Sequence, residues 1–403
     1  MSDAQAATRE SPDVRRARGA TLDRDDTSPG QAPIAVRVSR AERLRFIDVA
    51  KGMSIVLVAF GHSQLVPMNA LAADVNRSLG LLRMPLFFFL SGVFFRPATP
   101  FGTLLRQKTD ALLKPYLVTL GLVVLARALV AGTPPASQIP RMLYGVGTSI
   151  DMPWAPLWYL AHLWLVFLYA WGLARVATAL RLPVWGSAAL LAACTIIGLS
   201  CLPFFQDLPI VIGELHAPLS GLPFSADVLC VSTTFFLLGC ALREHVIRFR
   251  PNLTLVVGVL LLFAVVNAAY HPRLDLNQRI ADSPLATAVC ALTGIYLALS
   301  AAYALNATQR LGTACAFFGF NSLFVLVFHS WLETQCRQLL STLMSSRPGL
   351  GIAATAFVTG VCLAAGLGII IRRTAFLAAL YLPRQRPRSS ARDAGGLAVG
   401  ERQ

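Results

Sequence analysis

Long apolar runs separated by short polar stretches dominate the chain between residues 46 and 371. A helix that crosses a bilayer needs about 20 mostly apolar residues, and it satisfies its backbone hydrogen bonds internally. The pattern predicts ten such spans, at 46–66, 79–96, 115–132, 155–175, 184–203, 226–243, 253–270, 284–305, 316–333 and 350–371. We therefore expect an all-α, polytopic membrane protein with about ten transmembrane helices.

The two ends of the chain have a different composition. Residues 1–45 mix Arg, Asp, Ser and Pro without an apolar core, which predicts a disordered cytoplasmic tail and not a cleavable signal peptide. Residues 373–403 are again rich in Arg and Pro, and we expect a second disordered cytoplasmic tail there. The membrane-embedded domain is predicted to occupy residues 46–372.

Composition supports a membrane protein. Of the 403 residues, 55% are hydrophobic and only 14% are charged, whereas soluble domains average about a quarter charged residues. The net charge of +15 comes almost entirely from arginine. Seventeen basic residues fall on the predicted side of the tails and six on the opposite side, so the tails are predicted to be cytoplasmic. The charge surplus is thus a topology signal, and we expect no nucleic-acid partner.

Candidate metal and disulfide chemistry is sparse. The eight cysteines form no CxxC pair, and most of them lie within apolar runs. The sequence also contains no HxxH or HExxH motif and no phosphate-binding glycine loop. We therefore predict neither a metal site nor a disulfide framework.

Ionisable residues inside spans are costly, and they are candidates for function. The first span carries Asp48, Lys51 and His62, which fall on one face of a helix. His62 lies about 16 Å from Lys51 along the axis and could accept a proton from a substrate. The alternatives are that Asp48 and Lys51 neutralise each other as an i,i+3 pair, and that His62 is a buried structural histidine.

Two further spans carry polar groups. Arg83, in the second span, is predicted at the depth of His62, where its guanidinium could stabilise a developing oxyanion or extend to the membrane surface. The ninth span holds Asn321, Ser322 and His329. Ser322 and His329 share a face but lie about 10 Å apart along the axis, which excludes a direct Ser–His bond. Polar contacts between helices explain Asn321 and Ser322 best.

A set of short segments, in this order, resembles the acyltransferase 3 family of membrane O-acyltransferases. They are RFIDVAKGMSI (45–55) followed by FGH (60–62), MPLFFFLSG (84–92), KPY (114–116), LWYL (157–160), FFLLG (235–239) and the stretch from NSL (321–323) to His329. The first segment contains the family's signature of a basic residue, ten residues and a histidine. The residues of this segment are most similar to those of the branch that includes fucose 4-O-acetylases. Relatives in that branch often carry histidine at the position of Arg83. Unlike histidine, Arg83 does not deprotonate, so it cannot transfer a proton there.

The resemblance implies acyl transfer, usually of acetyl from cytoplasmic acetyl-CoA, to a saccharide hydroxyl of an envelope or exported glycan. It places the protein in a bacterial inner membrane. Catalytic roles are then expected for His62, Asp48 and Arg83. The expected contacts to CoA phosphates are Lys51, Arg106, Lys108 and Lys114, and the expected saccharide contacts are Trp158, Asn321, Ser322 and His329.

Two other classes of function fit the same spans. One is a transporter or exporter of a glycan or lipid-linked sugar, although the chain shows no internal repeat of the kind common in transporters. The other is a structural membrane partner of a glycan-assembly complex, which would not need the polar face from Lys51 to His62. The sequence leaves the acceptor hydroxyl, the acyl chain and the oligomeric state open.

Overall fold

The structure, a computed structural model, describes residues 40–206, 211–212, 215–216, 220–345, 347 and 349–384. The α-helices in this part are Arg40–His62 (α1), Leu65–Met68 (α2), Ala70–Gly92 (α3), Phe101–Lys108 (α4), Lys114–Ala131 (α5), Pro135–Tyr144 (α6), Trp158–Ala179 (α7), Val184–Cys201 (α8), Leu229–Ala241 (α9), Arg243–Ile247 (α10), Leu253–Tyr270 (α11), Pro284–Ala307 (α12), Gln309–Phe320 (α13), Ser322–Leu343 (α14), Leu350–Arg373 (α15) and Ala375–Tyr381 (α16). A π-helical turn, Thr109–Leu113, joins α4 to α5. The structure also contains two antiparallel pairs of two-residue strands. Val211–Ile212 (β1) pairs with Leu215–His216 (β2), and Leu274–Asp275 (β3) pairs with Ile280–Ala281 (β4).

The prediction of an all-α membrane protein is confirmed, and helices occupy the positions of all ten predicted spans. The number that can cross a bilayer is smaller. By length and composition, seven helices of the described residues are apolar enough, or eight if a bent pair counts as one span. α1 and α3 do not meet this criterion, although each is 23 residues long. Their polar residues lower their hydropathy, and these two helices carry much of the candidate site described below.

The predicted ninth span, 316–333, is not one straight helix. α13 and α14 meet at Asn321 with a bend of 88°. The Asn321 side-chain amide donates a hydrogen bond to the Phe317 carbonyl (3.0 Å), which also accepts the Asn321 backbone N–H (3.1 Å). Side-chain bonds to the carbonyl four residues earlier often bend helices. Asn321 Oδ1 lies close to Gly368 on α15, where a side chain would collide with it.

α1 lies at the centre of the helical bundle, in contact with α3, α12, α13 and α14. Glycines allow the closest of these contacts. Gly52 on α1 faces the Cys315 carbonyl of α13, and Gly319 on α13 faces the Asp48 carbonyl of α1, with no room for a Cβ at either position. By contrast, α11 has no buried residue and presents apolar side chains all round, as expected for a helix that borders lipid.

The ends of the bundle are named here after α1: the His62 end, where α1 ends, and the Lys51 end, nearer to its start. α1 begins at Arg40, within the segment predicted as an N-terminal tail, and α16 lies within the predicted C-terminal tail. The remaining parts of both predicted tails, 1–39 and 385–403, lie outside the described residues.

Arg279, one of the basic residues counted in the predicted charge asymmetry, has a structural role inside the protein. Arg279 is fully buried and pairs with the equally buried Asp227 through two hydrogen bonds, Nε to Oδ2 at 2.9 Å and Nη2 to Oδ1 at 3.1 Å. Its Nη1 donates to the Asn277 carbonyl (2.7 Å). Asp227 also accepts a hydrogen bond from the backbone of Leu222. We call Asp227 and Arg279, with these partners, the Arg279 cluster.

Tyr144 completes the surroundings of the Arg279 cluster. Its hydroxyl donates to the Gly221 carbonyl at 2.6 Å, and burial raises the pKa of this hydroxyl, so the donor proton is retained. Gly221 has φ of +86° and lies so close to the Arg279 guanidinium that a Cβ would overlap it. The cluster therefore ties the segment before α9 to the β3–β4 hairpin.

Candidate active site

A cleft of about 270 Å³ lies at the His62 end, between α1, α3, α14 and the segment 156–159. Its wall is mostly apolar and aromatic, and it consists of Val58, His62, Met84, Phe87, Pro156, Trp158, Tyr159 and Leu326. The hydroxyl of Tyr159 lies 3.5 Å from Ser91 Oγ, which itself donates to the Phe87 carbonyl. A largely apolar cleft with a few polar groups is the usual form of a small-molecule site.

His62 is the ionisable side chain in the wall of this cleft. It is the last residue of α1 and is half-buried, and none of the hydrogen bonds among the described residues involves its ring. The ring of His329 packs beside it, with centroids 5.8 Å apart and planes tilted by 49°. The tertiary structure thus brings together two histidines that are 267 positions apart in the chain.

The hydrogen bonding of His329 defines its tautomer. Its Nδ1 lies 2.7 Å from the Val325 carbonyl oxygen, which can only accept, so Nδ1 carries the proton in the neutral ring. Its Nε2 is buried and has no hydrogen-bond partner among the described residues. A buried nitrogen without a partner requires a physical explanation, and bonding capacity kept for a ligand is one. His329 therefore presents a free lone pair in the vicinity of His62.

Glu333 is a site residue that the sequence analysis missed. It lies one helical turn after His329, is 4% exposed, and accepts a hydrogen bond from the backbone of Gln64 (3.0 Å). Gly360 on α15 allows this close packing, because a Cβ there would meet the Glu333 backbone. The i,i+4 spacing from His329 was the available signal, since two ionisable residues on one face of an apolar helix suggest a site.

Arg83 lies beside His62 but does not line the cleft. Its guanidinium packs directly on Gly61, where any Cβ would overlap it. Its Nη1 donates to Asn76 Oδ1 at 2.8 Å, which fixes the side chain along α3. Asn76 is a second residue that the sequence analysis did not single out, and its position seven residues before Arg83 places both on one helix face.

A stripe along α3 connects the cleft to the Lys51 end. Met84 and Phe87 line the cleft, Ser91 contacts Tyr159, and Phe94 follows two residues after the helix ends. The Lys51 ammonium lies over the ring of Phe94, 4.4 Å from its centroid. His62 and Lys51 therefore lie at opposite ends of a continuous α1–α3 surface about 16 Å long.

Lys108 lies in the same region as Lys51. Its ammonium is 3.7 Å from the centroid of Phe167, whose ring is 6.0 Å from that of Phe95, next to Phe94 in the chain. Neither lysine has an ion-pair partner among the described residues. We call Lys51 and Lys108 the lysine pair. Contact with an aromatic face uses none of the N–H donors of a lysine in a hydrogen bond to a protein oxygen, so both side chains remain available to an anion.

The other two basic residues expected to bind CoA phosphates are placed differently. Lys114 pairs with Asp110 (2.7 Å) and donates to the Leu382 carbonyl. Arg106 is exposed on α4. Asp48, expected near the catalytic centre, is half-buried at the α1–α13 contact and forms no ion pair with Lys51 in the described part of the chain.

The four residues expected to contact a saccharide fall into two groups. Trp158 lines the cleft and His329 lies beside His62. Asn321 and Ser322 lie at the α13–α14 bend, about 10 Å or more from His329 along α14. His162, near Trp158, has partners for both ring nitrogens, Phe224 O at 3.0 Å and Ser232 Oγ at 2.9 Å.

Within the described residues, no three His, Cys, Asp or Glu side chains are grouped so that they could hold a metal ion. No curated protein and no solved structure matches the chain. The model of the acyltransferase 3 family, described as an acyltransferase domain, matches residues 44–371, which include most of α1, every helix from α2 to α14 and nearly all of α15. The chain is therefore a member of the acyltransferase 3 family and a membrane acyltransferase.

Proposed function

We propose that this acyltransferase transfers an acyl group, acetyl in the simplest case, from acyl-CoA to a saccharide hydroxyl. The proposal depends above all on the position of His62. It lies in the wall of the cleft, and its ring has no hydrogen-bond partner among the described residues. A neutral imidazole facing an open cleft is suited to general-base chemistry. Membership of the family favours this function over the export of a glycan.

In the proposed reaction, His62 accepts the proton of the acceptor hydroxyl as the hydroxyl oxygen attacks the thioester carbonyl. The C–S bond of the thioester then breaks, His62 returns the proton to the CoA sulfur, and CoA thiol leaves as the acylated saccharide forms. The free lone pair on His329 Nε2 stabilises the positive charge that His62 acquires. Arg83 lies outside the cleft wall, and its fixed positive charge next to Gly61 would favour the negative charge that develops on the carbonyl oxygen. Tyr159 and Trp158 restrict the shape of the cleft and the access of water.

The lysine pair fits the anionic part of the donor. The two unpaired ammonium groups can bind the phosphates of CoA at the Lys51 end, where the predicted topology places the cytoplasm. The pantetheine arm is long and thin, and the α1–α3 surface between Lys51 and His62 would guide it to the cleft. The acceptor glycan would then enter from the His62 end, on the opposite side of a bacterial inner membrane.

The experiment is an acyl-transfer assay on the purified full chain in lipid nanodiscs, with acetyl-CoA and the glycans of the source cell as acceptor. Free CoA and acetylated saccharide are both measured, the latter by mass spectrometry. We expect His62→Ala to lower the rate by about 10²- to 10⁴-fold, the usual contribution of a general base, with an unchanged unfolding temperature. His245→Ala is the control, because His245 is exposed on α10. Transfer by His62→Ala at the wild-type rate would contradict the mechanism.

A further inference from the structure

A second and larger cleft, of about 360 Å³, lies at the His62 end between α5, α6 and the segment 149–154. One wall is apolar and comes mainly from α5, with Leu120, Val123 and Val124. The polar part of the lining consists of Arg127, near the end of α5, with Gln138, Arg141, Ser149 and Asp151, and Trp154 also lines the cleft. The proposed catalytic chemistry uses none of these residues. We call this cavity the arginine cleft.

The arginine cleft has a positive charge surplus. Arg127 Nη1 lies 2.8 Å from Asp151 Oδ2, and Arg141 Nη1 lies 3.3 Å from Asp151 Oδ1. Two guanidinium groups thus share a single carboxylate, which leaves one net positive charge. Each arginine uses only Nη1 in these bonds, and the described residues show no hydrogen bond from the Nε or Nη2 of either. Both side chains are about one-third exposed, so these donors are accessible.

Gln138 adds a second indication of a ligand. Gln138 lines the cleft, and its Nε2 is buried without an acceptor among the described residues. Its Oε1 is 3.5 Å from Arg127 Nη1, which is at most a weak hydrogen bond. A buried amide donor normally has a partner, so a ligand with an oxygen acceptor would complete the site.

Trp154 places the arginine cleft next to the candidate active site. Its ring stacks on that of Trp331, with centroids 5.8 Å apart and planes within 20°, and Trp331 lies two residues after His329. The segment from Trp154 to Trp158 lines both cavities, Trp154 on one side and Pro156 and Trp158 on the other. A ligand bound by the arginines would therefore extend toward His62 along this segment.

We propose that the arginine cleft binds the acceptor saccharide and selects one that carries a carboxylate or phosphate. The inference rests on the proposed acyl transfer to a saccharide and adds the chemical class of the acceptor. A guanidinium pair recognises a carboxylate or phosphate through paired N–H donors. The Gln138 amide donates to a hydroxyl or ring oxygen, and the Trp154 ring packs on the apolar face of a sugar. Arginines near a bilayer surface also bind lipid phosphates. Binding of a lipid headgroup, however, would not explain the buried Gln138 amide and the Trp154 ring in the same cleft.

The experiment measures binding and does not depend on turnover. The purified full chain, in nanodiscs of phosphatidylcholine alone, is applied to an array of acidic saccharides and matched neutral ones, such as galacturonic acid disaccharides and their methyl esters. We expect the wild type to bind the acidic members at least tenfold more tightly. Arg127→Gln/Arg141→Gln should remove this preference, whereas Arg273→Gln, which alters an exposed ion pair elsewhere, should retain it.

Asp151→Asn provides a test that does not depend on losing a function. It leaves both arginines in place and raises the net charge of the cleft, so we expect tighter binding of acidic saccharides and unchanged binding of neutral ones. Equal affinity of the wild type for acidic and neutral members, the absence of binding to any acidic member, or an unchanged preference in the double variant would overturn the proposal. Loss of saccharide binding in favour of added phosphatidylglycerol would assign the cleft to a lipid headgroup instead.

The proposed function and this inference can fail separately. His62→Ala is expected to retain the acidic preference on the array, because His62 lies outside the arginine cleft. An acidic preference without acyl transfer by the wild type would refute only the proposed function. Acyl transfer to neutral and acidic acceptors at equal efficiency, with no preference on the array, would refute only the inference.

Discussion

Two groups of buried polar side chains at the His62 end differ in how completely they are bonded. In the Arg279 cluster, both charged side chains are fully buried and each is held by a bidentate pair and additional backbone contacts. In the pair formed by His62 and His329, the His329 Nε2 has no partner among the described residues, and His62 lines an open cleft. One group is closed within the protein, and the other has bonding capacity left for a substrate.

The difference separates structural from functional polar residues in a membrane-embedded protein. A buried charge is tolerated only when it is paired and hydrogen-bonded, and removal of one partner leaves the other uncompensated. An unpaired buried lone pair lowers the stability of the folded state, and a protein keeps one where it serves binding or chemistry. The two groups should therefore respond to mutation in opposite ways, one in stability and the other in activity.

The largest effect is expected for Asp227→Ala, which leaves Arg279 buried without its counter-ion. We expect a loss of about 3–5 kcal/mol in the free energy of unfolding, the usual result of breaking a buried pair. The measurement is the unfolding temperature of the purified protein in detergent, together with the yield of folded protein. Asp282→Ala is the matched control, because its pair with Arg273 is about half-exposed and should contribute at most about 1 kcal/mol. Equal losses in both variants would show that the Arg279 cluster is not a structural element.

The next effect concerns His329 and compares it with His162, which has partners for both nitrogens. We expect His329→Phe to lower kcat by about 100-fold, because His62 loses the neighbouring lone pair that stabilises its positive charge. The unfolding temperature should change little. His162→Phe should do the reverse, with a loss of about 1–3 kcal/mol for the unsatisfied groups it leaves and nearly normal turnover of the folded fraction.

The outcome for the two histidine variants is read from kcat per folded molecule, after size-exclusion chromatography. If both variants lose activity and stability in the same proportion, the free lone pair on His329 has no catalytic meaning. If only His162→Phe loses turnover, the assignment of the two histidines must be exchanged.

The smallest effect extends the comparison to the Lys51 end, where the unpaired Lys108 contrasts with the paired Lys114. We expect Lys108→Gln to raise the KM for acetyl-CoA by about tenfold, equivalent to about 1.4 kcal/mol, with little change in kcat. Lys114→Gln should leave this KM nearly unchanged, because Lys114 is committed to Asp110 and the Leu382 carbonyl. An equal rise in both variants would indicate a general effect of charge.

Local pattern was sufficient for much of the fold and for part of the site. The positions of the spans follow from apolar runs of about 20 residues, because hydropathy acts along the chain and needs no tertiary contact. His62, Lys51 and Arg83 were conspicuous for the same reason, since few residues inside the spans are ionisable. The bend at Asn321 was not predicted, because a hydrogen bond and close packing against Gly368 produce it.

The amino-acid pattern alone specifies the type of protein, its helices, and the short list of polar residues that lipid burial does not explain. These properties depend on composition and on spacing along one helix. The fold in three dimensions specifies which polar residues become neighbours: His62 packs beside His329, Lys108 lies in the region of Lys51, and Arg279 pairs with Asp227. Such pairs depend on how distant parts of the chain pack, and close contacts such as those of Gly52 and Gly319 between α1 and α13 are set by the same packing. Whether a polar group is bonded within the protein or open to a ligand depends on the residues that surround it in the folded structure.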